Sequence, residues 1–112
     1  MPVIDQTTFD ELKQMSGEDF INELIDTFLD DGPKLIEALQ SSLSANDVEV
    51  FRRSAHSLKS NAMTFGASQL ALLAKELETL GRENRIQETG DRLTVLNEAY
   101  QSASTELKGL RA

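Results

Sequence analysis

The sequence predicts an all-α protein, an antiparallel four-helix bundle with a short additional helix at its N-terminal side. Apolar residues recur at helical spacing nearly throughout. No segment shows sustained strand-like alternation bounded by hairpin turn pairs. The periodic stretches are joined by short connections, which favour neighbouring helices of opposite direction. With 112 residues, 39% of them hydrophobic and 27% charged, the chain has the size and composition of one globular domain spanning 1–112.

Each element has its own signal. Thr7 or Thr8 is placed to cap a short first helix through about Met15. Ser16, with Asp19 three residues on, opens a long helix carrying Phe20, Ile21, Leu24, Ile25, Phe28 and Leu29 on one side. Gly32-Pro33 interrupts a pattern that resumes with Leu35, Ile36, Leu39 and Leu43, so a kink or brief break is expected there. Asn46 and Glu49 form a reciprocal cap for the next helix, which runs to Phe65 and stops at Gly66. Its successor carries Leu70, Leu73, Leu77 and Leu80, ends at Gly81 and is followed by the polar linker Arg82-Glu83-Asn84-Arg85. In the last helix, Leu93, Leu96, Tyr100, Ala103, Leu107 and Leu110 follow the spacing of a bundle seam.

Composition narrows the function. The absence of cysteine excludes disulfide frameworks and thiolate metal sites, and permits a reducing, intracellular location. No apolar run approaches the roughly 20 residues of a membrane span, and Met1-Pro2-Val3-Ile4-Asp5 lacks the basic-then-apolar pattern of a signal peptide, so a cytoplasmic chain without direct membrane contact is expected. A formal net charge of −8 disfavours nucleic acid as a partner. Within that acidic chain, residues 50–74 contain no acidic side chain and hold Arg52, Arg53, Lys59 and the single histidine, His56. A basic island of this kind favours an anion or an acidic partner.

Helical phase gives His56 a direction. At about 100° per residue, Phe51, Ala55, Leu58, Ala62 and Phe65 form the buried arc, and His56 faces outward with Arg52, Arg53, Lys59, Ser60 and Met63. An exposed neutral imidazole is a nucleophile. Lys59, one turn along, is either a solvated lysine or an ammonium poised beside an anion on the ring. Ser60 either leaves room for a partner near the ring or bonds back to the His56 carbonyl. Met63 suits a docking contact or partial burial at a helix edge.

The run Ala55-His56-Ser57-Leu58-Lys59-Ser60, followed by Gly66 and a leucine-rich helix containing Leu77-Glu78, resembles the histidine phosphotransfer (HPt) domain family of two-component phosphorelays. The resemblance implies a four-helix bundle in which His56 is phosphorylated, Lys59 is the phosphate-side cation and Ser60 stands where the family most often has glycine. Gly66 matches a recurrent family glycine and is read as structural, a turn between paired helices. Glu78 falls where the family often has a carboxylate or amide oriented toward the histidine ring. The heights agree: about 15 and 18 Å of helical rise separate His56 and Glu78 from the turn. The implied partners are response-regulator receiver domains and a hybrid sensor histidine kinase, with Mg²⁺ on the receiver and neither metal nor cofactor on this chain, which is expected to be a monomer. The sequence has neither Glu-x-x-His metal spacing nor a glycine-rich phosphate cradle, so an autonomous kinase is not expected. A non-catalytic helical adaptor, or a domain that masks an enzyme's active site, would share the same bundle.

Overall fold

The structure, a computed structural model, describes residues 3–111; Met1, Pro2 and Ala112, part of the single domain read over 1–112, lie outside the described residues. Five α-helices follow in order: α1 (Gln6–Ser16), α2 (Glu18–Ala45), α3 (Val48–Thr64), α4 (Ser68–Arg82) and α5 (Arg92–Leu110), with a 3₁₀ turn at Ile86–Glu88 before the last. Among the described residues there is no strand, in keeping with the all-α prediction. At about 1.5 Å per residue the 28 residues of α2 span roughly the 41 Å long axis of the molecule, so α2 runs the length of the bundle.

The caps differ from those expected. Asp5, rather than Thr7 or Thr8, caps α1: its carboxylate accepts the Thr7 N–H at 3.2 Å and the Thr8 hydroxyl at 2.8 Å. Ser16 closes α1 instead of opening α2, which begins after Gly17 without a side-chain cap and has Glu18 and Asp19 at its positive end. The Asn46–Glu49 pair does not form. Asn46 takes the left-handed conformation that ends α2, and Asp47 caps α3 by accepting the Val50 N–H at 3.2 Å, leaving Glu49 to pair with Arg52.

Pro33 breaks nothing: α2 is continuous across it. A proline there deprives the Leu29 carbonyl of its helical donor. The buried Tyr100 of α5 sends its hydroxyl to this point, donating to the Phe28 carbonyl at 2.8 Å with that of Leu29 at 3.5 Å. Its ring stacks on Phe28, which meets Phe65 edge-on, so one aromatic row ties α5, α2 and the end of α3 together.

The core lies along the inner faces of α2 to α5. The predicted arc of α3 is buried as a whole, packed with Ile25, Phe28 and Leu39, with Leu70, Ala74 and Leu77, and with Leu96, Tyr100, Ala103 and Leu107. Leu73, Leu93 and Leu110 are only half-buried, and Phe20 is exposed, one residue out of phase with the buried line Ile21, Ile25, Phe28.

Two glycines set the geometry of the α3–α4 hairpin. Gly66 adopts φ +71° at the turn, and the N-terminal segment lies against it: the Asp5 N–H donates to its carbonyl at 3.0 Å, and an added Cβ would lie 2.9 Å from those of Asp5 and Thr8. At the other end Gly81 lies against α3, where a Cβ would stand 2.8 Å from Arg52 Cβ and 3.0 Å from Arg52 Cα. No larger residue permits that approach without moving a helix.

Candidate functional site

His56 stands on the outward face of α3, its side chain 56% exposed, between the buried Ala55 and Leu58 that anchor the helix. Opposite it on α4, Glu78 is buried, its side chain only 4% exposed. The close α3–α4 approach brings the two together across 22 residues of sequence: one Glu78 oxygen, Oε2, lies 2.6 Å from His56 Nδ1. Lys59 Nζ donates to the other, Oε1, at 2.6 Å, and Arg82 Nη2 lies 3.5 Å from Oε2.

The electrostatics assign the protons. Burial works to raise the Glu78 pKa, but the hydrogen bonds from Lys59 and His56, reinforced by their charges, outweigh it and hold the carboxyl below the ordinary carboxylate value. Glu78 is therefore ionised at neutral pH and can only accept hydrogen bonds. The Nδ1 contact must carry its proton on the histidine. In the neutral ring the lone pair is then on Nε2, the nitrogen away from Glu78. Such a ring is oriented, polarised by a buried anion and open to a reacting partner.

The other residues of the basic face divide. Lys59, 22% exposed, is not a free ammonium over the ring but is committed to Glu78. Arg52 pairs with Glu49, and Arg53 Nε lies 3.8 Å from the same carboxylate. The acid-free stretch is thus met in space by carboxylates from just outside it, Glu49 and Glu78. Ser60 is exposed one turn beyond His56, and Met63 is 61% exposed. Met63 borders a groove between α3 and α4 with Lys59, Ala71, Leu72 and Lys75, closed at the α1 end by Thr8. Gly66 lies at that end too, as the turn its sequence position implies.

Sequence reasoning missed Leu72, Lys75, Thr8 and Arg82. Leu72 is 62% exposed and lies off the Leu70, Leu73, Leu77, Leu80 stripe; an apolar residue out of phase was the available signal. Arg82, assigned to a linker, is the last residue of α4, one turn past Glu78 and so on the same face. For Thr8 no local pattern points to the groove. Among the described residues no group of three or more His, Asp or Glu side chains is gathered as a metal site, and no helix is long and apolar enough to cross a membrane.

Comparison with known proteins identifies the family of this bundle. Residues 23–106 match the family model of the Hpt domain. The phosphorelay protein LuxU of Vibrio harveyi is 30% identical over 88 residues, covering 79% of this chain and 77% of LuxU. The sensory/regulatory protein RpfC of Xanthomonas campestris pv. campestris is 28% identical over 106 residues, covering 94% of this chain but only 15% of RpfC. The crystal structure of histidine-containing phosphotransfer protein B (HptB) from Pseudomonas aeruginosa PAO1 superposes with a TM-score of 0.91 at 26% identity, over 98% of this chain and 95% of that one. A bundle, a solvent-facing histidine and a matching domain over three-quarters of the length converge: the chain belongs to the Hpt domain family and is a histidine phosphotransfer protein of a phosphorelay.

Proposed function

We propose that the phosphoryl group is carried on His56 Nε2, received from the aspartyl phosphate of one receiver domain and passed to the aspartate of another. The observation that carries this reading is the 2.6 Å contact of Nδ1 with the buried, ionised Glu78. The Nε2 lone pair attacks phosphorus, the bond from phosphorus to the aspartate oxygen breaks, and the electron pair leaves with the carboxylate. The ring becomes a phosphorylated imidazolium whose proton stays on Nδ1, facing Glu78. A buried anion stabilises that developing positive charge while the Nε2 side stays open. Phosphoryl transfer of this kind needs an in-line nucleophile and charge neutralisation.

The partners in this proposal are response-regulator receivers and a hybrid sensor histidine kinase, with Mg²⁺ and the acidic pocket on the receiver side. The protein acts as a monomer in the cytoplasm. Ser60 leaves room for the receiver beside the ring, Met63 and Leu72 supply apolar contact, and Arg52, Arg53 and Lys75 rim the surface. The test is incubation with a phosphorylated receiver. Acid-labile, base-stable label is expected on wild type and none on His56→Gln, which should fold within about 0.5 kcal/mol of wild type because the position is exposed. Undiminished label on the glutamine variant refutes the assignment.

A further inference from the structure

Glu78 has two oxygens and three cationic or N–H claimants, and they are not held equally. Lys59 and His56 each sit at 2.6 Å, whereas Arg82 Nη2 stands at 3.5 Å with its side chain 63% exposed, beyond a normal hydrogen bond and bathed in solvent. Arg52 and Arg53 face Glu49. We propose that Arg82 is the mobile cation of the site: when His56 is phosphorylated, the guanidinium leaves Glu78 and binds the phosphoryl oxygens, while Lys59 stays on Glu78. This inference rests on His56 being the phosphorylated residue and reverses the assignment of Lys59 as the phosphate-side cation.

The cost of moving each cation decides between them. Withdrawing Lys59 strips a buried carboxylate of a charge-assisted hydrogen bond, a loss of the kind that is expensive at a desolvated site. Withdrawing Arg82 forfeits an exposed ion pair, which is worth little. The reward is also larger for Arg82. Its planar fork matches the oxygens of a phosphoryl dianion, which carries more charge and more acceptors than the single Glu78 oxygen it already shares with the imidazole. Arg82 lies one turn from Glu78 on α4, and the oxygen it faces also receives His56 Nδ1, so the guanidinium starts one carboxylate oxygen from the ring.

The full chain is phosphorylated with a receiver's aspartyl phosphate, and the ³¹P signal of the phosphohistidine is titrated against pH in wild type, Arg82→Gln and Lys59→Ala, with folding checked by circular dichroism. A cation on the phosphoryl group favours its dianion. Arg82→Gln is therefore expected to raise the ³¹P midpoint by about half a pH unit, a threefold change in proton affinity. Lys59→Ala is expected to leave that midpoint in place and to alter the ¹⁵N signals of the unmodified His56 ring. An unchanged midpoint in Arg82→Gln, or a shift in Lys59→Ala as large as that in Arg82→Gln, overturns the proposal. Failure of the underlying assignment reads differently: label persists in His56→Gln, or wild type takes none.

Discussion

Replacing Glu78 by glutamine keeps the size of the buried side chain and removes its charge. The carboxylate accepts from Lys59 through one oxygen and from His56 Nδ1 through the other, both at 2.6 Å. Glutamine has one acceptor oxygen, so it keeps one donor and presents its own NH₂ to the other. Held by Lys59, its amide donates to Nδ1 and drives the ring toward the tautomer with hydrogen on Nε2, which is not nucleophilic there. Held by His56, it repels the Lys59 ammonium into solvent. Either way one hydrogen bond to a charged group is lost, at a cost of about 1.5–3 kcal/mol. Because His56 is more than half exposed, water offsets part of this, and we expect about 1.5 kcal/mol, or about tenfold slower phosphorylation from a saturating phosphorylated receiver. Single-turnover transfer measures the rate, and ¹⁵N chemical shifts of His56 measure the tautomer. Transfer at the wild-type rate would show that the negative charge of Glu78 does not assist the reaction at Nε2. The same variant carries a pH signature. The Glu78 pKa is depressed in the folded protein, so its stabilisation is complete above the unfolded carboxylate value of 4.5 and is lost as pH falls through the lower folded value. Wild type should lose stability across that acid window relative to Glu78→Gln, in which this contribution is absent.

Other predictions concern docking and the bundle. Ser60→Trp should fold, as judged by circular dichroism, and fail to exchange phosphate, because a receiver reaching His56 must cover the adjacent turn; normal transfer in that variant would place the receiver on another face. Met63→Ala should weaken receiver binding by about 1 kcal/mol in calorimetry, an ordinary value for an interface side chain away from the centre, and unchanged affinity would remove the groove from the interface. Tyr100→Phe removes the buried hydroxyl that donates to the Phe28 carbonyl at 2.8 Å and ties α5 to α2, so it should cost about 1 kcal/mol in chemical denaturation with transfer unimpaired. A Tyr100→Phe protein as stable as wild type would mean that this hydroxyl does not help hold α5 on α2.

Much of this protein was legible because helical order is local. The period of apolar residues located all five helices, and the phase of α3 alone turned His56 and Met63 outward and Phe51, Leu58 and Ala62 inward, since both follow from 100° per residue along one helix. Cap identities were misread by a residue or two, at Asp5, Ser16 and Asp47, because neighbouring residues were equally able to cap and the choice between them is small. Of the kink or brief break expected at Pro33, the break does not occur, and the hydroxyl packed against that turn comes from Tyr100, 67 positions away in the chain, which no local rule sees.

The site divides along the same line. Sequence by itself determined that a nucleophilic imidazole would face solvent in a basic patch, because its own helix dictates that. Which of the nearby charges serve the ring was decided only in three dimensions. Glu78 became a buried acceptor, Lys59 its tether and Arg82 its loosely held third neighbour because Gly81 lets α4 close on Arg52 of α3. The separation of two packed helices depends on the side chains at their contact rather than on the pattern within either one, and a carboxylate that reaches the ring at one spacing would lie in solvent at another.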